Sequence, residues 1–141
     1  MKILFATDGS VAALSALGAL VDRFGWFREA PTLTLLHVHP PIPYGIAARW
    51  VGKQAVEDHC AEESAAVLAP ARSLLDGRGI AYTAIARIGE PAREIVEVAR
   101  SGGFDCIALG TQGHTALASL MLGSVAQKVL ATAPAPVLLL K

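Results

Sequence analysis

Cys106-Ile107-Ala108-Leu109-Gly110-Thr111-Gln112-Gly113 is the stretch on which the reading of this chain turns. Its first four residues form an unbroken apolar run, the pattern of a strand covered on both faces. Gly110 ends the run. Nine residues after Gly113 come Gly123-Ser124, and Val125 to Ala131 continue with helical periodicity. Glycines at a strand's exit and a helix's start let backbone N–H groups approach an anion closely, and the helix N-terminus adds a favourable dipole. That equipment suits phosphates, so a nucleotide site is the leading expectation.

The same strand-to-helix pattern repeats upstream. Lys2 to Thr7 is short and apolar and leaves into Asp8-Gly9-Ser10, a strand followed by a turn. Val11 to about Phe24 carries Leu14, Leu17, Leu20, Val21 and Phe24 at helical spacing, with Ser10 as its N-cap and Gly25 as its stop. Leu33 to Val38 is a second apolar strand. Pro40, Pro41, Pro43 and Gly45 make His39 to Gly45 a loop. Val51 to Asp76 reads as a long amphipathic helix, with Val56, Cys60, Val67 and Leu68 inside and Glu57, Asp58, Glu62 and Glu63 outside. Pro70 is expected to kink or split it. Ile80 to Arg87 suits a strand nearer the sheet edge. Pro91 opens a helix to about Arg100, Phe104 to Leu109 is a strand, Gly123 to Ala131 a helix, and Val137-Leu138-Leu139-Leu140 the last strand.

The order is β-α-β-α-β-α-β-α-β, which predicts an α/β fold with a mostly parallel sheet and helices on both faces. A chain of 141 residues with no linker or repeat is expected to form one domain over 1–141. Hydrophobic residues at 53% and charged residues at 17% argue against a disordered chain. A formal net charge of zero gives no general attraction to nucleic acid or to a membrane surface. No apolar run suits a signal peptide or a bilayer span. Cys60 and Cys106 have no metal or redox spacing and read as reduced thiols in a cytoplasmic protein.

In a doubly wound sheet, ligands bind beyond the carboxyl ends of the strands where the winding reverses. With the first and fourth strands adjacent, Thr7 and Asp8 meet Gly110 there. The segment carries neither G-x-x-x-x-G-K-[ST] nor G-x-G-x-x-G, so neither a P-loop nor a nicotinamide site is indicated. The alternative is that these glycines only shape a turn and a helix cap. His37 and His39 share a strand face, and with His59 and Cys60 they form a weaker metal candidate. Ser101-Gly102-Gly103-Phe104-Asp105 resembles the loop of ATP pyrophosphatases, but it closes a helix rather than opening one.

Gly110-Thr-Gln-Gly113, nine residues, then Gly123-Ser124-Val125-Ala126 resembles the G-x2-G-x9-G-[ST] signature of ATP-binding universal stress proteins. Ile3 to Ser10 resembles the family's first strand and aspartate, Leu35-Leu36-His37-Val38 its second strand, Gly89-Glu90-Pro91-Ala92 with Ile95 the start of its third helix, and Pro134 to Leu140 its closing strand. The resemblance implies an adenine nucleotide alpha hydrolase-like fold, five parallel strands in the order 3-2-1-4-5, and bound ATP, with ADP or AMP as alternatives. It places Asp8 and the Val38 backbone at adenine and Thr7 and Gly110 near the ribose. Gly113, Gly123, Ser124 and the Val125 N–H fall at the phosphates. Mg²⁺ or Mn²⁺ is an optional bridge between those phosphates. The family often has a basic residue where Gln112 stands, and His114 is a substitute donor; methionine is usual where Leu109 stands.

The expected function is a nucleotide-sensing regulatory module in stress response, reporting to an unidentified protein partner. A slow ATPase or phosphotransfer protein is the enzymatic alternative; with no Lys or Arg in the glycine segment, hydrolysis is at most weak. A nucleotide-free dimeric interaction module is the third. The apolar edge strand Val137 to Leu140 predicts a homodimer.

Overall fold

Five short apolar runs, each flanked by turn residues, become five strands that all run in one direction. The computed structural model describes residues 1–41, 52–112 and 122–141. Along the chain they are β1 (Lys2–Ala6), α1 (Val11–Val21), a 3₁₀ turn (Phe24–Trp26), β2 (Thr32–His39), α2 (Lys53–Gly77), β3 (Tyr82–Ile88), α3 (Pro91–Gly102), β4 (Cys106–Gly110), α4 (Ser124–Thr132) and β5 (Val137–Leu140). The sheet order is β3-β2-β1-β4-β5 and every pairing is parallel. The fold is the α/β order 3-2-1-4-5, with the winding reversed between β1 and β4.

Side-chain alternation splits the core into two layers. Ile3, Phe5, Leu33 and Leu35 face Leu17 and Leu20 of α1 and Leu68 and Leu75 of α2. Leu4, Leu36, Val38, Ile107 and Leu109 face Ile95 and Val98 of α3 and Ala126 and Val129 of α4. Coverage on both sides explains why β1 and β4 are apolar at successive positions, and why even Thr34 and His37 of β2 are buried. Each such fully buried Leu or Ile contributes on the order of 1.5–3 kcal/mol.

The helix starts follow their caps. Ser10 Oγ accepts from the Ala13 N–H at 3.1 Å, and Glu90 accepts from the Arg93 N–H at 2.8 Å with Pro91 in the first turn. Gly103, at φ 60°, ends α3 in the left-handed region that glycine favours.

Three expectations need correction. First, α1 stops at Val21 rather than Phe24, and Gly25 lies within the 3₁₀ turn. The backbone closes this end, with the Asp22 N–H donating to Gly18 at 2.9 Å and the Arg23 N–H to Leu20 at 3.0 Å, and side chains add to it: Arg23 Nη1 donates to Ala19 at 2.6 Å and Arg78 Nη1 to Gly18 at 3.3 Å. Second, of the two outcomes expected at Pro70 the split does not occur: α2 runs through it as one helix. Pro70 is on the solvent side, while Leu68, Ala71 and Leu75 bury the opposite face, and packing overrides propensity. Third, β3 and β4 start at Tyr82 and Cys106, two residues later than the apolar runs suggest. Val51, Pro43 and Gly45 of the expected loop and helix start, and most of the 111–122 loop, lie outside the described residues.

Candidate functional site

The site begins where β1 stops pairing. The β1–β2 register ends at Ala6 opposite Leu36, and one further bond runs from the Thr7 N–H to the Leu36 carbonyl at 2.9 Å. The chain then turns. The Gly9 N–H donates to Thr7 Oγ1 at 3.1 Å and the Ser10 N–H to Asp8 Oδ1 at 3.0 Å. These side-chain bonds form a turn of the kind Asp and Thr favour, and they fix the Asp8 carboxylate at the sheet's carboxyl edge. Gly9 adopts φ 77°, and a Cβ there would sit 2.7 Å from Val67 Cγ1 of α2. Both the backbone angle and the neighbouring helix therefore require glycine.

The second wall comes from β4 and α4. Gly110 ends β4 close against α1: a Cβ on it would lie 3.6 Å from Ala16 Cβ and 3.2 Å from the Gln112 carbonyl. The Thr111 N–H donates to the Leu140 carbonyl at 2.9 Å, and the Gly123 N–H to the Thr111 carbonyl at 2.8 Å. Gly123 is the N-cap residue of α4, with φ −59°. Its N–H closes the loop, so the N–H groups that α4 leaves without intrahelical acceptors begin at Ser124 and Val125.

Between these walls lies a cavity of about 300 Å³. Thr7, Asp8, Val38, Gly110, Gly123, Ser124 and Val125 all line it. Seven of the sequence-derived candidates are thus brought together at the point where the winding reverses. The other two, Gly113 and His114, lie outside the described residues. Most of the lining is apolar. The polar groups are Asp8 and Thr7 at one side, the start of α4 at the other, and Gln112. The volume is at the lower end of small-molecule sites, about 300–1,000 Å³.

The strand geometry adds a further polar pair. In a parallel strand, alternate residues direct both backbone groups to the same neighbour. Leu36 bonds toward β1, and the His39 carbonyl accepts from the Gly89 N–H beyond β3 at 2.9 Å. Val38 therefore directs its N–H and carbonyl toward the β1 side, where β1 has already turned away.

Two charged contacts brace the helices around the cavity. Lys128 Nζ of α4 reaches Glu90 Oε1 at 3.1 Å, linking α4 to the start of α3. The Arg93 N–H and then Lys128 hold the Glu90 carboxyl below its ordinary value. On the other face, His39 Nε2 lies 2.6 Å from Glu63 Oε2 of α2 and Nδ1 lies 2.6 Å from the Pro40 carbonyl. His59 Nε2 is 3.4 Å from the same Glu63. The hydrogen bond to Glu63 raises the His39 pKa, against the desolvation that lowers it.

The four residues proposed above as a metal candidate do not converge. His37 Nδ1 meets the Thr7 carbonyl at 3.0 Å, His39 and His59 meet Glu63, and Cys60 is buried in α2. Among the described residues no group of three His, Cys, Asp or Glu side chains is arranged to hold a metal ion. Likewise, no described helix is long and apolar enough to cross a membrane.

The sequence matches the universal stress protein family over residues 1–141. The chain belongs to the universal stress protein family. It is 30% identical over 141 residues to the universal stress protein MJ0531 of Methanocaldococcus jannaschii, covering 99% of this chain and 81% of that protein. The solved structure of MJ0577, a universal stress protein of the same organism, superposes with a TM-score of 0.78 at 30% identity, covering 99% of this chain and 94% of that one. Two more distant structures share the fold. The Archaeoglobus fulgidus universal stress protein in complex with dAMP has a TM-score of 0.58 at 19% identity, covering 100% and 98% of the two chains. An Arabidopsis thaliana family member with AMP bound has a TM-score of 0.70 at 17% identity, covering 100% and 91%.

In this universal stress protein the cavity also has walls that motif reading did not assign to it. Pro91 and Ile95 of α3 close one side, and Ala13 of α1 another. A signal for the first pair existed: two apolar residues at i and i+4 in the first turns of a helix that leaves a strand's carboxyl end.

Proposed function

We propose that this universal stress protein binds an adenine nucleotide in the cavity between β1, β2, β4 and the start of α4, and acts as a nucleotide-sensing regulatory module. The observation that carries the reading is the division of one cavity into two chemistries. One end offers a carboxylate, the Val38 backbone donor and acceptor, and apolar walls; the other offers the N-terminus of α4. A heteroaromatic base suits the first, and phosphates are repelled by Asp8 but suit the second.

In this arrangement Asp8 and the Val38 backbone hold adenine, with Leu36, Pro91 and Ile95 forming its apolar walls. Thr7 and Gly110 flank the ribose. Ser124 Oγ and the Ser124 and Val125 N–H groups hold the phosphates, and Gly113 and His114 complete that end. ATP is the expected ligand, with ADP and AMP as competitors, and Mg²⁺ or Mn²⁺, an optional companion, would neutralise its phosphate oxygens. That related folds are solved with AMP and dAMP is consistent with the base end of this reading.

Hydrolysis is expected to be weak. Lys128, the cation on the first turns of α4, is held by Glu90. The cellular setting proposed is the cytoplasm, with a protein partner that reads the occupied loop between β4 and α4.

The protein is further proposed to form a homodimer through β5. This strand pairs with β4 on one side only, and Leu138 on it is 37% exposed and Leu130 on α4 44% exposed. Mass spectrometry of small molecules released from the purified protein tests the ligand reading. Adenine nucleotide at a substantial fraction of the protein concentration supports it; protein that neither retains nor takes up nucleotide refutes it in favour of a nucleotide-free dimeric module. A turnover assay at rates typical of enzymes would favour the ATPase reading over the sensor.

A further inference from the structure

His37 is buried, at 7% exposure, yet its ring serves no part of the site as described so far. It lies on β2 next to Val38, and alternation directs the two to opposite faces. His37 shares its face with Leu33 and Leu35, the face covered by α1 and α2. Its Nδ1 lies 3.0 Å from the Thr7 carbonyl. A nitrogen facing a carbonyl oxygen carries the proton, so Nδ1–H donates to Thr7.

That bond replaces a rung of the sheet. The Thr7 N–H bonds the Leu36 carbonyl. In a regular parallel ladder the next bond would run from the Val38 N–H to the Thr7 carbonyl. The register instead ends at Ala6 opposite Leu36, and the Thr7 carbonyl accepts from the imidazole. From the same side, Val67 of α2 packs where a Cβ on Gly9 would be. The turn that carries Asp8 is thus held from behind by one hydrogen bond and one steric contact.

We propose that His37 is a positioning residue for the nucleotide site: its Nδ1–H holds the Thr7 carbonyl out of the β1–β2 ladder, which keeps the Val38 N–H directed into the cavity and fixes the turn that presents Asp8. This rests on the placement of adenine at Asp8 and Val38 proposed above. The imidazole touches no ligand. It acts by preventing β1 and β2 from zipping one residue further and closing the backbone edge the base needs. A competing rung is an intramolecular bond, so it would win over a ligand unless the Thr7 carbonyl is turned out of line with the Val38 N–H, as its bond to the imidazole turns it.

Two variants and two readouts test the proposal. Asparagine can place an amide N–H near the Nδ1 position, whereas leucine fills similar space with no donor. In nucleotide-free protein, amide hydrogen exchange at Val38 is expected to be slower in His37→Leu than in wild type, because the rung forms. A merely structural role would make exchange there faster. By calorimetry with ATP and AMP, His37→Leu is expected to lose about tenfold in affinity, the effect of one buried hydrogen bond, and His37→Asn to stay within about threefold of wild type. Leu75→Ala, at the far end of α2, is the comparison: it lowers the unfolding temperature and leaves affinity unchanged. Val38 exchange that is unchanged or faster in His37→Leu overturns the proposal, as does wild-type affinity in that variant. Wild-type protein that takes up neither nucleotide would defeat the ligand reading, and the exchange measurement alone would then decide whether His37 diverts the ladder.

Discussion

The Gly123 N–H donates to the Thr111 carbonyl at 2.8 Å, so the segment between β4 and α4 is closed by a bond between its own two ends. The start of α4 is thereby held at the tip of β4, one residue from Ser124. Gly123 has φ −59°, an angle proline also adopts. Gly123→Pro therefore removes the N–H while keeping that angle. We expect it to cost about 1 kcal/mol in urea unfolding and to weaken nucleotide binding about tenfold. Gly123→Ala, which keeps the N–H, should do neither; equal loss in both variants would dissociate the bond from the effect.

Gly9 and Val67 make a second close relationship, with no room for a Cβ between them and φ 77° at Gly9. Gly9→Ala should destabilise the protein by about 2–4 kcal/mol, combining left-handed backbone strain with overpacking. Val67→Ala in the same chain should recover the overpacking share but not the backbone share. A double-mutant cycle with no coupling would show that α2 does not press on this turn.

His39 lies within 2.6 Å of two oxygens, the Pro40 carbonyl and Glu63 Oε2, and an imidazole that donates to both is protonated. Glu63 raises its pKa above the ordinary 6.5, so the folded chain holds this proton more tightly than the unfolded one. The resulting stability is complete below 6.5 and is lost as pH rises through the folded value. Glu63 is drawn below its ordinary 4.5 by the same bond, so its share is present above 4.5 and lost as pH falls through its own lowered value. Among the described residues the further charged group beside this pair is His59, and the neighbouring position on β3 is Ile88. The urea midpoint of wild type should fall modestly as pH rises above 6.5 and through the raised folded value, and Glu63→Gln should flatten that fall. A wild-type profile no steeper than that of the variant would remove the pair from the account.

Glu90 does two jobs of unequal weight. Its Oε2 caps α3 through the Arg93 N–H, and its Oε1 meets Lys128, an exposed pair. Glu90→Ala should cost about 1 kcal/mol through the lost cap, whereas Lys128→Ala should cost only about 0–1 kcal/mol in stability. Thermal unfolding of the two variants side by side checks the order.

The order of strands and helices was legible because β1 and β4 are covered on both faces and read as apolar runs bounded by Asp or Gly, and β2, though broken by Thr34 and His37, is apolar between Pro31 and Pro40. The end of α1 was not, because its carbonyls also receive Arg23 and Arg78, the latter arriving from 60 residues away, where Arg78 Nη1 also meets Asp22 at 2.7 Å. Pro70 misled for the reverse reason: local chemistry argues for a break, and the buried stripe of α2 overrides it. At the site, Asp8, Gly110 and Ser124 were visible as turn and cap residues. The role of His37 was not, since it depends on where β1 leaves the sheet, and a histidine two positions from another in a strand reads as a metal candidate instead.

The exposed edge at β5 makes a separate prediction. Leu138→Lys should convert a dimer to a monomer in light scattering at micromolar concentration with little change in stability. A wild-type monomer under those conditions would dispose of the dimer.

The most direct measurement is isothermal titration of wild type and Asp8→Ala with ATP, ADP and AMP. We expect one site per chain for at least one of these nucleotides, and a loss of about tenfold or more when the carboxylate is removed. Absence of heat with all three, or equal binding by the two proteins, would contradict a base held at Asp8 and phosphates held at the start of α4.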